Sequence, residues 1–499
     1  MIKETKVVIT DARGNELPIA PRRSFDAAKG SRHTADWLTR EGTADLSIKT
    51  DLKSLRERAR DAERNDGYTE GILNEIVSNV IGPNGIGFKS MARKLDGRNK
   101  GGLANTTDNN ACEKIAQAWE DFSKKGNFDV TRRLSRAQYE RLALRGVARD
   151  GAHLTRLVDG FPKNRFRFAV QAIEADALDP RTNDDSKRIH MGIEYDEWDG
   201  EVAFHLTKMD NKAQSWKKAE TFRVDADDML NLFLVKRVTQ SQGFSWLAPV
   251  LLRLRHLSEY EKSEVIAARE GANKIGFFEQ TGEQQYTGDE DLSGNIVAPS
   301  APGEWESLPY GVKANLIDPS HPNSNYPDFR KAILRGVCAG VMMNYNTIAR
   351  DLEGVSFSSI RQGVLSERDS YKILHAWFID DHVAPVFNRW LRMALMSGEL
   401  EGLTMRDYDR LCHAEFSGRT WDWVDPVKDI EAIEREIELG MNSLSAAAKA
   451  KGRDFNKIVA QKKEDIKTLE AAGLNTTIGK KETEMKKVEP VQGESTPPK

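Results

Sequence analysis

The sequence predicts an α+β fold that is mainly helical. Long stretches carry apolar residues at helical spacing, while a block between about 166 and 233 alternates them as strands do. At 499 residues and 56.1 kDa the chain exceeds what one core organises, so two to four structural parts are expected. Ten Trp, 19 Phe and 10 Tyr exclude a fully disordered chain, although 30% of residues are charged and mean hydropathy is −0.59.

Residues 1–45, rich in Arg, Ser, Thr and Gly, read as a flexible arm that orders only against something else. Leu52, Leu55, Ala59 and Ala62, then Ile72, Leu73, Ile76, Val77 and Val80, predict two helices broken near Asn65-Asp66-Gly67. Helices near 111–124 and 135–149 precede short strands at 166–173, 192–195 and 202–206, with a turn at Asp199-Gly200 and a last strand at 227–233. From Trp246 to about Lys274 one helix of roughly 40 Å is expected.

Residues 276–325 change character, holding eight acids against one base, Lys313. Helical pattern resumes from Tyr326 through Ala339, followed by a polar, Gly-containing stretch at 346–358. A second long helix is expected over 359–397, kinked at Pro385, then a strand or two within 401–424. A helical region runs from Val427 to about Ala472, and the Lys, Glu and Pro of 480–499 read as disordered.

The net charge of −3 gives no global attraction to nucleic acid or anionic lipid. Cys112, Cys338 and Cys412 have no CxxC spacing, which argues against a disulfide framework or a cysteine zinc site and fits a reducing cytoplasm. With no signal-like start and no run of about 18 apolar residues, a soluble compartment and no membrane partner are expected.

No complete catalytic motif stands in the sequence. The stretch from Gly473 to Lys480 misses the phosphate-loop spacing and has Lys481 where Ser or Thr would hold magnesium; HExxH and GxSxG do not occur. His375 and His382, two turns apart on one helix, read as packing or solvated residues. Glu174, Asp176 and Asp179 resemble metal carboxylates, but a strand end running into a turn is the simpler reading. Cys412-His413 lacks a second ligand pair, and Cys338 reads as a packing residue. Arg132, Arg133, Arg136, Arg141 and Arg145 either share a face toward phosphates or form a solvated face. No catalytic residue, metal or cofactor is assigned, and long helices bracketing an acidic insert fit a structural assembly component.

Several segments together resemble the lambda-type portal proteins of tailed bacteriophages, over about residues 50–474. They are Arg64-Asn65-Asp66-Gly67-Tyr68 with Gly71-Ile72-Leu73-Asn74 and Asn79-Val80-Ile81-Gly82; Arg149-Asp150-Gly151; Ile173-Glu174-Ala175-Asp176; Gln242-Gly243-Phe244-Ser245-Trp246 through Leu251; Tyr260-Glu261; and Pro302-Gly303-Glu304. Further on stand Leu334-Arg335-Gly336, Ala339-Gly340, Ser358-Ser359-Ile360-Arg361, Trp423-Val424-Asp425-Pro426, Lys428-Asp429 and Gly440. Ser356 and Phe357 depart from the Asn-Tyr that the family pattern would place there.

The resemblance implies a portal fold assembled as a cyclic ring. It has an α/β wing at 46–245, a first stem helix at 246–275, an acidic clip at 276–325 and a second stem helix at 326–345. A tunnel loop at 346–358 and a long helix returning to the wing at 359–426 follow, then a helical crown at 427–474 and a disordered tail at 475–499. It implies a homo-oligomer of about twelve subunits that passes double-stranded DNA without regard to sequence. The implied partners are the terminase large subunit, the major capsid and scaffold proteins, and a head-completion or tail adaptor. The virion, and the host cytoplasm during assembly, would be its places.

Expected DNA-facing residues of the tunnel loop are Asn346, Thr347, Arg350, Asp351, Ser356 and Ser358. Expected docking residues of the clip are Glu279, Glu283, Asp289, Glu290, Asp291, Glu304 and Glu306. Trp377 and Trp390 are expected either at subunit contacts or in the subunit's own core. The rival readings are a nuclease or ATPase of the packaging machinery, and a scaffold protein with no DNA role.

Overall fold

The structure is a computed structural model that describes residues 42–95, 103–210, 215–272, 276–280, 312–316, 325–421, 426–451, 453 and 455–472. A short helix α1 (Ala44–Ile48) leads to α2 (Leu52–Asn65) and α3 (Gly67–Val80). The break between α2 and α3 has a local cause: extended Asp66 accepts the Thr69 N–H at 2.8 Å and caps α3. Strands β1 (Gly87–Ser90), β2 (Arg93–Leu95) and β3 (Leu103–Thr107) precede α4 (Asn109–Phe122) and α5 (Arg136–Asp150). Ser135 and Gln138 form a capping box that starts α5, and Gly151 ends it in the left-handed region at φ 93°.

Two antiparallel sheets follow. β4 (His153–Asp159), β5 (Phe168–Glu174) and β10 (Met229–Leu232) pair in the order β10-β4-β5. β6 (Ile189–His190), β7 (Ile193–Tyr195), β8 (Glu201–Asp210) and β9 (Ser215–Asp225) form a four-stranded sheet in chain order. The strand expected over 227–233 is shorter, because a 3-10 turn at Ala226–Asp228 precedes it.

The expected helix from Trp246 begins later, as α6 (Leu251–Ala272), because the Ser245 side chain accepts the Leu247 N–H at 3.2 Å and holds 246–250 as a turn. Strands β11 (Gly276–Gln280) and β12 (Val312–Leu316) pair antiparallel between α6 and α7 (Tyr326–Val341). Then come α8 (Tyr345–Ala349), α9 (Phe357–Phe378), a π-helical turn at Ile379–Val383, and α10 (Ala384–Met396). The irregularity expected at Pro385 lies just ahead of it. Proline has no N–H for the carbonyl four residues back, and the preceding turn widens so that Ala384 N–H donates to Ile379 instead.

α11 (Tyr408–Leu411) and β13 (Ala414–Ser417) occupy the region where one or two strands were expected, and β13 pairs with β1. The C-terminal helical region divides into α12 (Pro426–Glu438), α13 (Leu444–Ala450) and α14 (Phe455–Ala471). Gly440, at φ 72°, stops α12.

The main core joins α3, α4, α5, β5, α9 and α10 around Trp119, Phe122, Phe166, Phe168, Phe387 and Trp390. Trp119 and Trp390 meet edge to face with centroids 4.9 Å apart. Trp390 is fully buried and Trp377 packs against the same cluster, so both tryptophans serve the subunit's own core. A second core, built on Leu154, Leu178, Ile193, Phe204, Leu206 and Val224, lies under the four-stranded sheet.

Candidate channel loop and docking elements

After α7 the chain turns through Met342, in the left-handed region at φ 55°. Buried Glu367 of α9 accepts the Asn344 N–H and, at 3.0 Å, the Thr347 hydroxyl, which fastens α8 onto α9. Asp351 accepts the Tyr345 hydroxyl and the Glu353 N–H, both at 3.0 Å, and lies 3.9 Å from Lys331. The Glu353 amide, then the Tyr345 hydroxyl, hold its carboxyl below the usual carboxylate range. Arg350, at φ 53° and 75% exposed, reaches Glu75 of α3 at 2.9 Å. Ser356 caps α9 through the Ser359 N–H and stands 3.1 Å from the Ser358 hydroxyl.

The six expected tunnel-loop residues therefore separate. Thr347 and Asp351 bond within their own chain and Asn346 is half-buried; Arg350, Ser356 and Ser358 are exposed, Arg350 with its charge paired to Glu75 and Ser356 as the cap of α9. Sequence reasoning missed two exposed apolar residues, Met342 before the loop and Leu352 within it, at 72% and 66%. The polar composition of the loop gave no signal for them.

Of the expected clip residues, Glu279 lies on β11, opposite Lys313 of β12 in the antiparallel register. Glu283, Asp289, Glu290, Asp291, Glu304 and Glu306 lie outside the described residues.

The dispersed motif residues converge on one junction. The Arg56 side chain is buried and donates to the Asp150 carbonyl at 3.1 Å, the Ala175 carbonyl at 3.1 Å and Gln242 Oε1 at 3.0 Å. Gln242 in turn donates to the Met191 carbonyl at 2.8 Å. Arg60 and Arg149 both grip Asp150, and Glu63 accepts from Arg145 and Arg149 at 2.7 and 2.9 Å. Burial raises the pKa of Asp150, but the Arg149 and Arg60 hydrogen bonds outweigh it and hold the carboxyl below its ordinary value.

This junction settles two alternatives from the sequence. Asp176 pairs with Arg60 and lies 3.6 Å from Arg56, so it is a structural anion rather than an open metal carboxylate. Of the arginine run, Arg136 binds Glu140, Arg141 donates to the Gly82 and Pro83 carbonyls at 3.0 and 2.8 Å, and Arg145 binds Glu63 and Asn74. These three are neither a phosphate face nor a solvated one; Arg132 and Arg133 remain exposed.

Both helix histidines pack internally. His375 Nε2 meets the Asn79 carbonyl at 3.1 Å. His382 stacks on Tyr139 at 5.8 Å, and neither ring nitrogen has a hydrogen-bond partner in the protein. Burial, with His153 nearby, drives its pKa down to about 3. Among the described residues no group of three or more His, Cys, Asp and Glu is placed to hold a metal ion, and no helix is long and apolar enough to cross a membrane.

An α/β body followed by a helix pair that brackets an acidic insert defines a subunit of assembly type. The family described as phage portal protein, lambda family, matches residues 30–375. A probable portal protein of Halomonas phage phiHAP-1 is 36% identical over 471 residues, spanning 92% of this chain and 89% of that protein. Portal protein B of Escherichia phage lambda is 19% identical over 480 residues, 88% of each. Among solved structures, the neck of a native gene transfer agent particle computed with C12 symmetry matches with a TM-score of 0.45 at 12% identity, covering 81% of this chain and 93% of that one. The chain belongs to the lambda family of phage portal proteins.

Proposed function

We propose that about twelve copies of this chain close into a ring at one capsid vertex, through which double-stranded DNA enters during packaging and leaves on ejection. The observation that carries this reading, beside family membership, is the β11–β12 pair set between α6 and α7 at the base of the acidic insert. Twenty-two residues of α6 span about 33 Å, enough for a stem wall. In this reading α6 and α7 are the stem, 276–325 is the clip, 346–358 is the tunnel loop and α12 to α14 are the crown.

The mechanism is physical rather than catalytic. A clip with eight acids and one lysine, repeated around a ring, repels phosphates where it faces the bore and so opposes sticking. Facing outward, the same acids steer basic surfaces of the terminase large subunit and later of the head-completion adaptor. Exposed Arg350, Ser356 and Ser358 offer brief contacts to a sugar-phosphate backbone without reading bases. Major capsid and scaffold proteins are further partners in this reading, and the assembled protein resides in the virion after assembly in the host cytoplasm.

The test is native mass with negative-stain images. A closed ring of about twelve 56.1 kDa subunits with an open channel supports the reading. A protein that stays monomeric and is not incorporated into capsid shells overturns it.

A further inference from the structure

Among the described residues, none after Leu411 is buried. α12, α13 and α14 have 13, 7 and 17 residues, and helices of this length are marginal in water unless an apolar face is covered. Their apolar residues are at most half-buried: Ile430 is 52% exposed and Ile466 40%, while Ile433, Ile437, Ile458 and Leu469 are half-buried. Arg361 of α9 anchors the start of α12 by pairing with Asp429 at 3.3 Å, but no residue of the α12 stripe is buried.

The two longer helices are complementary. Ile430, Ile433 and Ile437 form a stripe on α12, flanked on one side by Glu431 and Glu438; the helix carries five acids against two bases. Ile458, Ile466 and Leu469 form a stripe on α14 with Lys462 inside it, flanked on one side by Lys463 and Lys467 together with Glu470. α13 lies against α14. We propose that α12 of one subunit packs on α14 of the next copy, apolar stripe to apolar stripe, with the Glu431 and Glu438 flank against the Lys463 and Lys467 flank. A second copy is the fitting occupant because one chain carries both halves of the contact on different elements, the requirement for head-to-tail closure.

This rests on the ring reading, and the experiment separates the two. Chains carrying Ile433→Cys and chains carrying Ile466→Cys are assembled together and oxidised, with wild type as the background for Cys112, Cys338 and Cys412. A covalent dimer containing one chain of each kind is expected, at least tenfold above either variant alone, and a ladder is expected from the double variant. Rings without that dimer, or a double variant linked only within single chains, overturn the inference and leave the ring reading standing. A monomeric wild type that is also not taken into capsid shells overturns the ring reading first.

Charge reversal adds an independent readout. Glu431→Lys with Glu438→Lys, and separately Lys463→Glu with Lys467→Glu, are each expected to lower the ring fraction at low salt. An equimolar mixture is expected to restore it, since alternating copies again pair opposite charges. Failure of the mixture to restore rings, while the chain carrying all four changes does form them, assigns the contact to a single chain and overturns the proposal.

Discussion

The carboxylate of Asp150 receives the Arg60 guanidinium at both oxygens, Nε to Oδ1 at 2.9 Å and Nη2 to Oδ2 at 3.0 Å. Arg149 approaches the same carboxylate, at 2.9 and 2.7 Å, so one buried anion holds two cations from α2 and α5. Replacing Asp150 by Ala removes the anion the two arginines share but leaves Arg60 with Asp176 and Arg149 with Glu63, at an expected loss of about 1–3 kcal/mol. Denaturant unfolding of the purified subunit measures it, and a loss under about 1 kcal/mol would show that the junction is not a stabilising element.

Two buried histidines set an acid limit. Burial lowers the pKa of His153 to about 4 and of His382 to about 3, from an ordinary 6.5. The folded state therefore resists protons that the unfolded state accepts. The stability they contribute is complete above pH 6.5 and is lost as pH falls from there toward 4 and 3, by about 1.4 kcal/mol per unit for each histidine. His382→Leu should flatten the dependence of the urea midpoint between pH 6.5 and 4; an unchanged slope would rule out this source. Asp150, with its pKa held below normal, adds its own loss only as pH falls below the ordinary carboxylate range.

Gly151 combines a left-handed backbone, φ 93°, with backbone contact to Gly243 and Phe244. A Cβ there meets the Phe244 main chain. Gly151→Ala is expected to cost more than the roughly 1–2 kcal/mol of the left-handed conformation alone. Gly126 has φ 101° but open space around it, so Gly126→Ala should stay within that range. Thermal denaturation of both variants compares them, and equal losses would refute the backbone-overlap argument.

Glu367 holds the segment before Arg350 through the Asn344 amide and the Thr347 hydroxyl. Glu367→Ala should free α8 and raise the rate of tryptic cleavage after exposed Arg350 by about tenfold, the equivalent of losing ~1.4 kcal/mol of hydrogen bonding. Limited proteolysis timed by mass spectrometry reads this, and an unchanged rate would mean that Glu367 does not control the loop.

For the clip, replacing Asp289, Glu290 and Asp291 with Lys should leave native ring mass unchanged while reducing packaged DNA several-fold. In the proposed reading, the change turns acids that repel phosphate or steer the motor into bases that bind phosphate. Wild-type packaging yield in that variant would sink the electrostatic account of the clip.

Local chemistry was readable wherever cause and effect lie within a few residues. The predicted break near Asn65-Asp66-Gly67 falls where Asp66 caps α3, within one helical turn of its effect. The alternating apolar residues at 166–173 pointed to β5, and the spacing of Val364, Tyr371, Leu374 and Phe378 pointed to α9. The order of short motifs, none diagnostic alone, was enough to reveal the family resemblance.

Sequence by itself determined the helical and strand periods, their punctuation and the acidity of the insert, because these depend on neighbours along the chain. Tertiary structure decided how charge is used. Arg56 finds its acceptors 94, 119 and 186 residues away, and Arg145 turns from a possible phosphate ligand into the partner of Glu63, 82 residues distant. An arginine has the same attraction for any anion or carbonyl, so its partner is chosen by which groups the packed core brings within hydrogen-bond reach and shields from water.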